Sequence, residues 1–118
     1  TLFRQSDFIS LHVPYDTTTH HLINERRLAL MRPQAVVINT SRGNVVNEQA
    51  LYQALLKNKI SAAGLDVFAQ EPDTQSPLLH LPNFFASPHI GGSTQESILA
   101  MGQAAIDHLI NPLDRRLP

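Results

Sequence analysis

The chain has 118 residues, 42% hydrophobic and 16% charged, the balance of a globular domain, or part of one, rather than a disordered segment. Nine basic against ten acidic residues leave a formal net charge of −1, so no basic stripe is there to meet nucleic acid. No apolar run approaches the roughly 20 residues that span a bilayer. With no cysteine, neither disulfides nor thiolate metal ligands are possible, and a reducing, cytoplasmic setting fits; His20-His21, His80 and His108 have no ligand-like spacing with other donors, so no metal site is expected.

Phe8-Ile9-Ser10-Leu11-His12-Val13 is rich in β-formers and stops at Pro14, which predicts a strand. Tyr15 to His21 is polar and threonine-rich and reads as loop. Asn24 is placed to cap a short helix through Leu28, Leu30 and Met31, ended by Pro33 because the residue before proline avoids the helical region. Ala35 to Thr40 is a continuous apolar, β-branched run, the pattern of a parallel strand buried on both faces. Ser41-Arg42-Gly43 follows as a turn. Asn47 then caps a second helix whose Leu51, Ala54 and Leu55 follow the i, i+3, i+4 rule, ending near Asn58-Lys59.

Ile60 to Val67 predicts a third strand with Asp66 near its carboxyl end, and Glu71 to Pro77 a loop. A short helical turn over Leu78 to Leu81 precedes a fourth strand, Phe84 to Ser87. Pro88-His89-Ile90-Gly91-Gly92 leads to Ser93-x-x-Glu96, a capping-box pattern opening a helix to about Ile110, with Ile98, Met101, Ala105 and Leu109 on one stripe and Pro112 as its stop. Small residues at Ala100, Gly102 and Ala104 leave room for another helix to pack closely. Strands alternating with helices at this spacing predict an α/β fold with a parallel, doubly wound sheet of about four strands and flanking helices.

The ionisable residues fall at the strand ends. Arg42 follows the second strand, Asp66 ends the third with Glu71 just beyond it, and His89 follows the fourth. In a parallel sheet those ends share one edge, the crevice where α/β proteins bind ligands. Their types suit a definite reaction. An arginine matches the planar carboxylate of an α-keto or α-hydroxy acid and polarises the adjacent carbonyl. A histidine exchanges a proton with the alkoxide near neutral pH, and a carboxylate on its other nitrogen fixes the tautomer. Side chains supply no hydride, so a nicotinamide cofactor would have to.

Asn39-Thr40-Ser41-Arg42-Gly43, Gly64-Leu65-Asp66-Val67-Phe68 with Glu71-Pro72, and Pro88-His89-Ile90-Gly91-Gly92-Ser93-Thr94 resemble, in order, the motifs of the D-isomer-specific 2-hydroxyacid dehydrogenases. Leu11-His12-Val13-Pro14 is similar to a further strand motif of that family. The likeness runs along essentially the whole chain and is nearest to the phosphoglycerate dehydrogenase and hydroxypyruvate/glyoxylate reductase branch.

The resemblance implies an Arg–Glu–His catalytic set at Arg42, Glu71 and His89. It also implies contact of Asp66 with the nicotinamide carboxamide, and a cofactor pocket lined near His12, Thr40 and Gly91. NAD is the expected cofactor, with NADP open, a small 2-hydroxy or 2-keto acid the substrate, and a homodimer the assembly. Nothing in residues 1–118 matches the family's Gly-x-Gly-x-x-Gly phosphate loop, the acidic ribose ligand or the substrate domain. The chain therefore reads as a fragment, the second half of a Rossmann-type NAD(P)-binding domain, inactive by itself and with its first strand an exposed edge. Two rivals stand beside this reading: a non-catalytic NAD-binding corepressor or sensor of the same lineage, and a stand-alone interaction domain.

Overall fold

The β-branched and apolar runs form four short strands: β1 (Phe8–Leu11), β2 (Val36–Asn39), β3 (Ala62–Leu65) and β4 (Phe84–Ala86). They pair in parallel in the order β1-β2-β3-β4 in a computed structural model that describes residues 1–110. β1 is an edge strand, as expected. β1, β2 and β3 are shorter than their predicted runs because the ladder needs a partner at every step, whereas the run continues into the flanking turns, and β4 ends at Ala86, one residue before the expected Ser87.

The helices are α1 (Leu2–Gln5), which the sequence pattern does not announce, α2 (Glu25–Leu28), α3 (Glu48–Leu56) and α4 (Gln95–Ile110). Asn24 and Asn47 both act as the expected N-caps, accepting from the amides of Arg27 and Ala50. The turn expected over Leu78–Leu81 is a 3₁₀ segment, Pro77–His80. At α4 the cap is Thr94 rather than Ser93: Thr94 Oγ1 accepts from the Ser97 amide at 3.1 Å. Ser93 is instead held in the preceding turn, its amide donating to the Ile90 carbonyl at 2.9 Å. Pro112 lies outside the described residues.

The core lies on one face of the sheet. Ile9 and Leu11, Val37, and Ala63 and Leu65 alternate along their strands and pack with Leu28 of α2, Leu51, Ala54 and Leu55 of α3, and Ile23 and Leu78. The opposite face is more open, with Val36, Ile38, Ala62 and Gly64 half-buried and Phe8 and Phe85 72% and 73% exposed. The expectation that β2 is buried on both faces is therefore not met among the described residues, because α2 and α3 share one side. No residue of α4 is buried, so the close helix neighbour expected beside Ala100 to Ala105 is absent among the described residues. No described helix is long and apolar enough to cross a membrane.

Register fixes what stands at the carboxyl edge. Leu11 pairs with Asn39, Asn39 with Leu65, and Leu65 with Ala86. The next residue of each strand, His12, Thr40, Asp66 and Ser87, therefore forms a row across the sheet's rim.

Candidate active site

Two clefts open along that rim. One, of about 550 Å³, lies beyond β1 and β2 and is lined by His12, Pro14, Tyr15, Thr40 and Arg42. The other, of about 530 Å³, lies beyond β3 and β4 and is lined by Asp66, Phe68, Glu71, Ser87 and His89, with Leu79 on its apolar wall.

The turn after β2 is held by its own strand. Asn39, fully buried, accepts from the Ser41 amide at 3.0 Å and the Ser41 hydroxyl at 2.7 Å, and its Nδ2 donates to the Arg42 carbonyl at 2.9 Å. A buried amide satisfied on both ends holds its turn rigidly, since each lost bond would leave a polar group stranded. The Arg42 side chain is exposed at the cleft's edge, its Nη1 donating to the Ser41 carbonyl at 2.7 Å.

The turn after β4 is held from another strand. Asp66 Oδ1 accepts from the Ser87 hydroxyl at 2.6 Å and the Ile90 amide at 2.9 Å, while Oδ2 accepts from the Gly91 amide at 2.9 Å. Burial alone would raise the Asp66 pKa, but the Ser87 hydroxyl, the two amides and nearby His89 outweigh it and hold the carboxyl below its ordinary range. These bonds also hold His89 at φ 55°, a left-handed conformation uncommon for a residue with a side chain. Gly91 has to be small here, because a Cβ would sit 2.9 Å from Asp66 Oδ2.

That conformation presents the imidazole to Glu71. His89 Nδ1 lies 2.6 Å from Glu71 Oε2, and Glu71 Oε1 accepts from the Phe68 amide at 2.9 Å. An ionised carboxylate only accepts, so Nδ1 carries the proton and Nε2 is left to take or give one. The Phe68 amide, then His89, lower the Glu71 pKa and keep that carboxylate charged.

Asp66, Glu71 and His89 thus meet in one cleft, but Arg42, expected to converge on it with them, lines the neighbouring cleft instead, because its turn follows β2 rather than β3 or β4. His12 and Thr40 share the neighbouring cleft with Arg42, whereas Gly91 lies in the Asp66-bound turn and lines neither. Arg42 makes no hydrogen bond or ion pair with the other three among the described residues. One contributor was not foreseen: Ser87, which binds Asp66, looks in sequence like the last residue of a strand.

Residues 1–91 match the family model described as "D-isomer specific 2-hydroxyacid dehydrogenase, NAD binding domain". The chain belongs to that family. It is 51% identical over 114 residues to the glyoxylate/hydroxypyruvate reductase B of Pectobacterium carotovorum, a match covering 96% of this chain and 36% of the relative. Two solved structures place the likeness in three dimensions. The NAD-complexed D-isomer specific 2-hydroxyacid dehydrogenase of Lactobacillus delbrueckii superposes with a TM-score of 0.81 at 31% identity, over 92% of this chain and 37% of that one. An NADPH-dependent glyoxylate/hydroxypyruvate reductase of Sinorhizobium meliloti, solved with NADP and malonate, gives 0.82 at 36%, over 88% and 33%. The chain thus spans about a third of the length of the relatives it matches. The Rossmann-type fold expected from sequence is the fold of this family's cofactor domain.

Proposed function

We propose that the protein carrying this chain is an NAD(P)-dependent reductase of short 2-keto acids, glyoxylate and hydroxypyruvate first among them, and that residues 1–118 supply the second half of its cofactor domain. The observation that carries this reading is the Glu71–His89 pair at the carboxyl edge of a parallel sheet. The named reductase at 51% identity supports the choice of substrate.

The rim fits a nicotinamide by its donor set. Asp66 Oδ2 accepts one bond and retains an acceptor position for a carboxamide N–H, and Thr40 and His12 stand beside it in the same row. Gly91 borders that carboxylate without a side chain in the way. When bound, the cofactor supplies the hydride. Arg42 binds the keto acid's carboxylate through its planar guanidinium and draws charge toward the carbonyl oxygen. His89 delivers a proton from Nε2 to the oxygen as it becomes an alkoxide, and takes it back in the reverse direction. Glu71 holds the ring and stabilises the imidazolium through Nδ1.

Self-association belongs to the same proposal. Ile98, Met101 and Leu109, on one stripe of α4, are 57–83% exposed, too apolar a strip to leave in water, and a homodimer would cover it. A cysteine-free chain acting on soluble metabolites fits a cytoplasmic location. The test is turnover by the full-length protein. It should oxidise NADH or NADPH when given glyoxylate or hydroxypyruvate and sediment as a dimer. No turnover with any 2-keto acid would sink the enzymatic reading, and a monomer the assembly.

A further inference from the structure

The peptide joining Phe68 to Ala69 is gripped by the segment that follows Arg42. Gly43 meets it with backbone alone: a Cβ there would lie 1.9 Å from the carbonyl carbon and oxygen of Phe68 and 2.3 Å from the Ala69 nitrogen. Those are backbone atoms, unable to swing aside, so the two turns touch main chain to main chain. Glu48, the first residue of α3, reaches the same peptide, its Oε1 accepting from the Ala69 amide at 2.6 Å. The adjoining Phe68 amide is the group that binds Glu71 Oε1 at 2.9 Å, and Glu71 Oε2 meets His89 Nδ1 at 2.6 Å.

A first-turn acid needs no such contact to favour its helix, since the macrodipole stabilises an exposed carboxylate as well. Glu48 is instead half-buried. Burial, with Asp73 adding to it, raises its pKa, and the Ala69 bond works against that rise. A carboxylate kept partly out of water and aimed at a main-chain amide far along the chain is holding that amide in place.

We propose that Glu48 is a positioning residue for the Glu71–His89 pair: with Gly43 it clamps the Phe68–Ala69 peptide, and through the Phe68 amide it sets where Glu71 holds the histidine ring. Mechanistically this rests on the reductase reading, whereas the clamp itself is open to measurement without turnover.

Two conservative variants of the full-length protein separate positioning from charge. Glu48→Gln keeps an acceptor oxygen at the same reach but removes the charge. Glu48→Asp keeps the charge at the helix start but withdraws the oxygen by one methylene. If Glu48 positions, E48D speeds amide exchange at Ala69, lowers the Nδ1-protonated fraction of His89 seen by nitrogen NMR, and shifts the pH profile of kcat. It should lower kcat about tenfold with KM for the keto acid within about twofold, the cost of about 1.4 kcal/mol in the transition state. E48Q stays near the parent in all of these. The reverse ranking, with E48Q impaired and E48D normal, would assign Glu48 to helix electrostatics and overturn the proposal, as would two variants indistinguishable from the parent. Should the parent turn over no keto acid, the exchange and tautomer measurements still decide the clamp while the reductase reading falls by itself.

Discussion

The turns after β2 and β4 both present an ionisable side chain at the sheet's carboxyl edge, yet they are built in opposite ways. The β2 turn is local. Asn39, at the end of the strand, binds Ser41 and the Arg42 carbonyl, and Ser41 and Gly43 are themselves buried. The β4 turn is exposed from Pro88 onward and is fixed by Asp66, whose partners Ile90 and Gly91 lie 24 and 25 residues away. The lesson is a division of labour. Under the proposed mechanism, the arginine that binds substrate stands on a turn hydrogen-bonded by its own strand, while the histidine that moves a proton stands on one hydrogen-bonded by a neighbouring strand. The second arrangement couples His89 to β3, to the loop carrying Glu71 and, through the clamp, to α3.

The largest expected effect breaks the comparison at its chemical end. In the full-length protein His89→Ala should lower kcat by about 10²–10⁴, the usual range for a general acid–base, with cofactor affinity nearly unchanged. Equal losses in turnover and in cofactor binding would count against the assigned role. Gly43→Ala comes next and strikes where the β2 turn touches the loop after β3. A methyl 1.9 Å from backbone cannot be absorbed by side-chain motion, so a loss of about 1–3 kcal/mol or more in denaturant unfolding is expected.

A paired experiment then sharpens the contrast. Asp66→Ala leaves the Ile90 and Gly91 amides without their acceptor and should cost about 1–3 kcal/mol. Hydrogen exchange should quicken at those two amides while the Ser41 amide stays protected. Asn39→Ala should do the converse. Uniform loosening in either variant would show that the turns are not independently built.

The smallest effect is a pH dependence confined to one turn. The Asp66 pKa is depressed in the folded state, so its stabilisation is complete above the ordinary carboxyl pKa of about 4 and is lost as pH falls through the lower folded value. Exchange at Ile90 and Gly91, corrected for intrinsic rates, should therefore rise in acid before the Asn39-held turn responds. A simultaneous response would attribute acid loosening to the whole fold.

This asymmetry also explains what could be read in advance. The β2 turn was legible because Asn39 to Gly43 is one contiguous stretch. The Glu71–His89 pair rested mainly on the family resemblance, since strand order brings Glu71 to the same edge but nothing near it in sequence marks it apart from other loop acids. Ser87 and Glu48 carried no signal at all, because their partners are Asp66 and Ala69 on other elements. At the start of α4 the capping-box spacing was present, yet Thr94 took the cap while the Ser93 amide closed the preceding turn on the Ile90 carbonyl. The strand ends were overestimated at β1, β2 and β3 for a related reason: apolar composition continues into the turns, but a strand stops where its partner does.

The sequence by itself determined the alternation of strands and helices, the Asn24 and Asn47 caps, and the placing of Arg42, Asp66, Glu71 and His89 at or just beyond strand ends. Those follow from side-chain periodicity and capping, which act over a few residues. Only the tertiary structure decided that Asp66 suspends the histidine turn, that Glu71 rather than Asp66 meets the imidazole, and that Glu48 and Gly43 hold the peptide between them. Each of those choices depends on the parallel register, which sets His12, Thr40, Asp66 and Ser87 side by side, and no local preference encodes which carboxylate will lie beneath which turn.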